Sequence, residues 1–239
     1  MNTMTLNPGV STAASPAPTR ALGALLIVEA LLSFAPVVVL GRAIGWPASL
    51  DLPAAEQLTR IHAAPDAVAL GYGLYLLYSV LVAPLMIWLA ARLCGGLQQP
   101  LAAGVAAFAA LSTLARSIGI LRWLTVMPAL AAAHATADPS TKKTLELIFQ
   151  AHTDYGGGIG ELLGVSLFMA AALAMLCVAA WRRQSLPRPV AALGLLAALL
   201  LASLLLPMFG IAAAAPVAVA VSALSLWMLA AGICLMRKA

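Results

Sequence analysis

An all-α polytopic membrane protein, a bundle of six transmembrane helices with both termini cytoplasmic, is the fold class this sequence predicts. Three observations predict it. Of 239 residues, 63% are hydrophobic and 9% are charged. A soluble domain carries about 25% charged residues, so 13 basic and 8 acidic side chains could not cover a water-facing surface. Six stretches reach the roughly 20 apolar residues that a bilayer-crossing helix needs. Finally, most basic residues sit at the ends of those stretches, where topology determinants belong. A water-soluble enzyme is excluded, and so is intrinsic disorder, which requires low hydrophobicity.

The expected spans are Ala21–Leu40, Ala67–Leu89, Gly104–Val126, Gly157–Ala180, Val190–Leu206 and Ile211–Leu235. Residues 1–20 are polar and contain Pro8, Pro16 and Pro18, which predicts a disordered cytoplasmic tail ahead of a single membrane domain, 21–239. Arg20 precedes the first span, but Phe34–Leu40 is bulky and no Ala-x-Ala follows promptly, so the span reads as retained rather than as a cleaved signal. Two long outer loops, 41–66 and 127–156, connect the spans, while Pro207–Gly210 predicts a tight turn between the last two. Within the loops, Ala54–Ala63 and Ser140–Thr153 predict helices, the second with Ser140 as N-cap and Leu145, Ile148 and Phe149 on one interfacial face. Pro36, Pro84 and Pro128 are expected to kink or end helices.

Orientation follows from the basic residues. Arg20, Arg92, Arg182, Arg183, Arg188, Arg237 and Lys238 fall on one side, against Arg42, Arg60, Lys142 and Lys143 on the other. The richer side is cytoplasmic by the positive-inside rule. Asp51, Glu56, Asp66, Asp138, Glu146 and Asp154 fall in the outer loops with His62, His134 and His152. The net charge of +5 comes with no basic cluster or nucleic-acid motif, so no nucleic acid is expected as a partner. Cys94, Cys177 and Cys234 lack a CxxC pair and read as structural thiols.

Four charges fall inside the spans: Glu29, Arg116, Arg122 and Glu161. Each costs at least ~2.5–3.5 kcal/mol near the bilayer centre and therefore faces the bundle. Depth, at 1.5 Å per residue, places Glu29 and Arg116 near the midplane, and Arg122 and Glu161 roughly 10 Å outward. The matching depths and signs predict Glu29–Arg116 and Arg122–Glu161 ion pairs, with spans 1, 3 and 4 adjacent. These pairs either set helix register or line an outward-opening polar cavity.

Span 4 is expected to start in the string from His152 to Glu161, which contains Asp154, Tyr155 and a glycine run. Asp154 and Glu161, seven apart, would share a helical face. Gly160 and Gly164 form a small-xxx-small face, and the glycines would leave N–H groups free for an anion. Tyr72, Tyr75 and Tyr78 form a stripe in span 2, with some hydroxyls reaching the bundle interior. The histidines lie at or beyond the outer boundary. No HExxH spacing or facing haem ligands are present, so no metal and no cofactor are expected. No GxSxG elbow supports nucleophilic catalysis.

Leu114-Ala115-Arg116-Ser117-Ile118-Gly119-Ile120-Leu121-Arg122-Trp123, with Gly160-Glu161-Leu162-Leu163-Gly164 in the next span, resembles a family of uncharacterised bacterial membrane proteins. These are six-span proteins assigned to a domain of unknown function. The resemblance implies a fold and a bacterial inner-membrane location, and no activity. The expected function is therefore an outward-facing polar site built from Glu29, Arg116, Arg122, Glu161, Asp154, His152 and Tyr75. It would bind a small or lipidic ligand, or a partner subunit or second copy, within the lipid bilayer. A small-molecule or ion transporter is the first alternative, although spans 1–3 are not repeated in 4–6. The second is an intramembrane enzyme using Glu161, Asp154 and His152 as acid–base groups.

Overall fold

Apolar length sets the helices, and proline and glycine set where they break. The computed structural model describes residues 16–237, and among these every regular element is helical. In chain order the α-helices are α1 (Pro16–Leu32), α2 (Ala35–Ile44), α3 (Ala54–Ala63), α4 (Pro65–Leu93) and α5 (Pro100–Leu124). They continue with α6 (Val126–Thr136), α7 (Pro139–Gly157), α8 (Met169–Arg183), α9 (Arg188–Ser203) and α10 (Val217–Arg237). A π-helical segment, Gly158–Phe168, joins α7 to α8, and 3₁₀ turns occupy Ala48–Asp51 and Leu206–Phe209.

Five helical runs are long and apolar enough to cross a membrane: Thr19–Ile44, Pro65–Leu93, Pro100–Thr136, Pro139–Arg183 and Val217–Arg237. The chain is thus an all-α polytopic membrane bundle. The expected fifth span is the exception, because α9 holds 16 residues and extends only about 24 Å against a ~30 Å hydrocarbon core. The link after it is no tight turn: a 3₁₀ turn leads into an irregular stretch that lasts until α10. At the other end, α1 already begins at Pro16, so 16–20 of the expected tail are helical, while 1–15 and Lys238 lie outside the described residues.

The first run breaks at Ser33–Phe34, just ahead of Pro36, which has no N–H to give the Leu32 carbonyl; the Ser33 hydroxyl donates to the Ala30 carbonyl at 2.6 Å. Pro84 lies inside α4 without ending it. Pro128 lies in the first turn of α6, past a break at Thr125. The fourth run differs most from expectation. It is one continuous helical stretch of 45 residues, so the glycine run is mid-helix and no free helix N-terminus exists there.

Small residues decide which helices touch. A Cβ on Gly23 would lie 2.7 Å from the Gly232 carbonyl oxygen, so α1 lies flush on α10, and the Ser33 and Ser225 hydroxyls meet across the same interface at 3.1 Å. α1 also packs on α4; α5 packs on α4, on the π-helix and on α8; α9 sits between α8 and α10. Spans 3 and 4 are neighbours as expected. Span 1 is instead held to α10 and α4, where the glycines permit the closest approach.

The two long loops fold into a cap of α3, α6 and α7. Leu58, Ile61, Met127, Ala131 and Phe149 form a second core there, continuous with Tyr72 and Trp123 below. Gln57 Nε2 donates to the Leu50 and Leu52 carbonyls, and Arg60 binds Glu56 at 2.7 Å and the Ile44 carbonyl at 3.1 Å. His134 meets Glu146 at 2.9 Å, joining α6 to α7. The N-cap of α7 is Asp138, with Pro139 as first residue, rather than Ser140. Its carboxylate accepts from the amides of Ser140 and Thr141 and from the Thr141 hydroxyl, and the hydroxyl bond leads in holding that carboxyl below its usual range. At the opposite end of the bundle, Arg92 donates to Thr19, the Ser185 hydroxyl donates to the Leu93 carbonyl, and the Arg183 guanidinium lies against Gly95.

Two outcomes are expected. Gly232→Val forces a side chain into the α1–α10 contact and should cost about 1–3 kcal/mol, the usual penalty of overpacking; an unchanged thermal midpoint would contradict this interface. Because folding lowers the Asp138 pKa, the cap's contribution is present above the ordinary aspartate value of about 3.9 and lost as pH falls through the lower folded-state value. Amide protection of Ser140 and Thr141 should therefore persist at pH 5 and collapse in stronger acid, while in Asp138→Ala it should be weak already at pH 5 and change little on acidification.

Candidate functional site

Just beneath the cap, α4, α5 and the π-helix enclose a cleft of about 60 Å³. That is room for about four waters at the ~10–15 Å³ each requires. One wall is aromatic: Tyr72 and Tyr75 from α4, Trp123 from α5 and Trp46 from the turn after α2. Tyr72 stacks on Trp123 with centroids 4.7 Å apart and planes 4° apart, while Trp46 meets Tyr75 edge-on at 6.3 Å. Arg116 and Arg122 from α5, with Glu161 from the π-helix, supply the charge.

A glycine seam brings those charges together. Gly156, Gly160 and Gly164 recur every fourth residue, and all three are buried. A Cβ on Gly119 would lie 2.8 Å from the Gly160 Cα, so α5 and the π-helix meet backbone to backbone. On either side of this contact, a Cβ on Gly156 would strike the Arg122 guanidinium, and one on Gly164 would strike Arg116 Cγ. The Ser112 hydroxyl donates to the Gly164 carbonyl at 2.8 Å, tying the two helices. The π-helical segment is 11 residues long, whereas π structure is mostly confined to single-turn bulges, often at functional sites. Its wider turn is visible in the Ser166 hydroxyl, which donates five residues back to the Glu161 carbonyl at 2.8 Å.

Neither expected intramembrane ion pair closes: no guanidinium–carboxylate approach falls within 4.0 Å for Glu29–Arg116 or for Arg122–Glu161. The arginines face rings instead. Arg116 lies over Tyr78 at 4.7 Å and Arg122 over Trp123 at 5.4 Å, contacts worth ~2 kcal/mol or more when desolvated. Arg116 Nε, Arg122 Nε and Nη1, and the Tyr72 hydroxyl are buried with no hydrogen-bond partner on the protein.

The structure thus brings Arg116, Arg122, Glu161 and Tyr75 to one cleft and leaves three candidates outside it. Glu29 is buried on α1, and neither of its oxygens has a protein partner. His152 is exposed, with Nδ1 at 3.0 Å from the Ile148 carbonyl. Asp154 is also exposed, accepts from Gln150 at 2.8 Å, and is not among the residues that line the cleft. Among the described residues, no group of three or more His, Cys, Asp or Glu side chains could hold a metal ion. Trp46, Tyr72 and Trp123 were not among the expected site residues. Trp123 stands beside Arg122 in sequence, whereas nothing local marks Trp46.

A second cleft, about 190 Å³, also has Glu161 in its lining. Leu162, Leu204, Pro207 and Ala213 are among its walls, and Glu161 and Val165 line both clefts.

Against known proteins, residues 21–232 match the family model described as Domain of unknown function (DUF4386). No curated protein and no solved structure matches.

Since Glu29 has no direct partner, Glu29→Gln should leave the thermal midpoint unchanged or raise it, because it removes a buried group without orphaning another. Destabilisation by about 3 kcal/mol or more, the cost of breaking a buried pair, would show that Glu29 and Arg116 do pair in the membrane.

Proposed function

The chain belongs to that family of unknown function, and from this premise we propose that it is a binding protein of the bacterial inner membrane. Its outer cleft takes a small or lipidic ligand through an anionic group. The supporting observation is the pair of arginines at the cleft with buried, unspent donors and no carboxylate in direct contact. A guanidinium fork binds carboxylate or phosphate with two parallel charge-assisted hydrogen bonds. The aromatic walls lower the local dielectric, which strengthens those bonds. Pre-stacking on Trp123 and Tyr78 holds both guanidinium groups in place before the ligand arrives, so little side-chain entropy is lost on binding.

In this reading the chain crosses the membrane six times, with α9 as the short fifth crossing and both termini in the cytoplasm. The gathering of Arg92 and Arg183 at one end of the bundle supports that orientation. The cap and cleft then face outward.

Titration of the full chain in amphipol with octyl phosphate should give a saturable change in tryptophan emission, since Trp46 and Trp123 line the cleft. Octyltrimethylammonium, its cationic counterpart, should not. Arg122→Gln should weaken octyl phosphate roughly 10-fold or more, as expected for a lost hydrogen bond to a charged group at ~1.5–3 kcal/mol. Equal responses to both amphiphiles, or an unaltered Arg122→Gln variant, would refute anion binding at this site.

A further inference from the structure

Glu161 lines two clefts of different character. One holds the guanidinium groups of Arg116 and Arg122. The other is a space about three times larger, walled by Leu162, Val165, Leu204, Pro207, Ala213 and Ala215. The one other polar side chain in that second space is Ser166, whose hydroxyl is spent on the Glu161 carbonyl at 2.8 Å. An apolar cleft with no free donor is suited to hydrocarbon. A free carboxylate beside an anion site weakens the hold on a plain anion and favours a ligand that brings a donor of its own to that point.

We propose that the occupant is an anionic amphiphile with a hydrogen-bond donor next to its anion. The anion lies at Arg116 and Arg122, the donor meets Glu161, and the tail fills the cleft between the π-helix and the link 204–217. This rests on the anion-binding reading above and adds the order of groups along the ligand: tail, donor, anion. An acyl chain joined through an amide N–H to a short carboxylate has that order. So does a long-chain alkyl phosphate with an ammonium or hydroxyl beside the phosphate.

The probes are N-octanoylglycine, its ester analogue octanoyloxyacetate, which lacks only the N–H, and N-acetylglycine, which lacks the tail. Measured on the full chain in amphipol, N-octanoylglycine should bind at least 10-fold more tightly than either. Glu161→Leu should abolish the preference for amide over ester, and Ala215→Trp should remove the advantage of the tail. A fourth measurement needs no variant: N-octanoylglycine with a diazirine at its tail end should label residues 204–217 on irradiation. If octyl phosphate binds through Arg122 but amide and ester bind equally, or labelling falls elsewhere, the proposal is overturned while the anion site stands. If no anionic probe binds, both readings fall together.

Discussion

The close approach of α5 to the π-helix is the constraint on which the rest of the site depends. With no side chain on Gly119 or Gly160, the two backbones come so near that a single added carbon would lie 2.8 Å from the opposite Cα. Without hydrophobic drive between helices inside a bilayer, contact of this kind is what holds them together. It also decides where the arginines go. Arg116 and Arg122 cannot project straight into a neighbour that is already touching, so their side chains run beside the seam, over Gly164 and Gly156 respectively. There Arg116 reaches Tyr78 of α4, and Arg122 lies over Trp123 of its own helix. A wider interface would separate those cations from the cleft.

Polar groups are handled differently in the cap and in the bundle. In the cap, ordinary partners suffice: Arg60 with Glu56, His134 with Glu146, and Asp138 with the first turn of α7. Apart from the buried His134, these groups are exposed or half-exposed, and such contacts are of modest individual worth. Within the spans, ring faces replace carboxylates as the partners of the arginines. A guanidinium on a ring keeps its N–H groups available at the edges, whereas a closed salt bridge spends them. That difference separates a register-setting charge pair from a preformed anion site.

Much of the architecture was legible in the sequence because a bilayer leaves little choice. Hydropathy located the long spans, and α3 runs from Ala54 to Ala63 as its pattern predicts. The failures share a cause. Depth along a span, computed from the rise per residue, is one coordinate; the direction in which a side chain points is another, and helix packing sets it. Glu29 and Arg116 therefore matched in depth without meeting. Likewise, the glycine run from Gly156 to Gly158 carries the local signature of a helix break, yet packing against α5 carries the helix straight through it. Trp46 reaches the cleft from a turn distant in sequence, which no periodicity encodes.

By itself, the sequence determined the solvent, the fold class and the inventory of charges, because burying 63% apolar residues with so few charges is a matter of composition. It also marked Arg116, Arg122 and Glu161 as exceptional, since any charge in a span has to be accommodated. Only the tertiary structure decided who accommodates them. Which helix presses on which depends on where glycines from distant segments coincide, and that coincidence turned the arginines toward tyrosine and tryptophan. The same packing left Glu161 lining both a polar cleft and an apolar one, a position defined by three-dimensional contact alone.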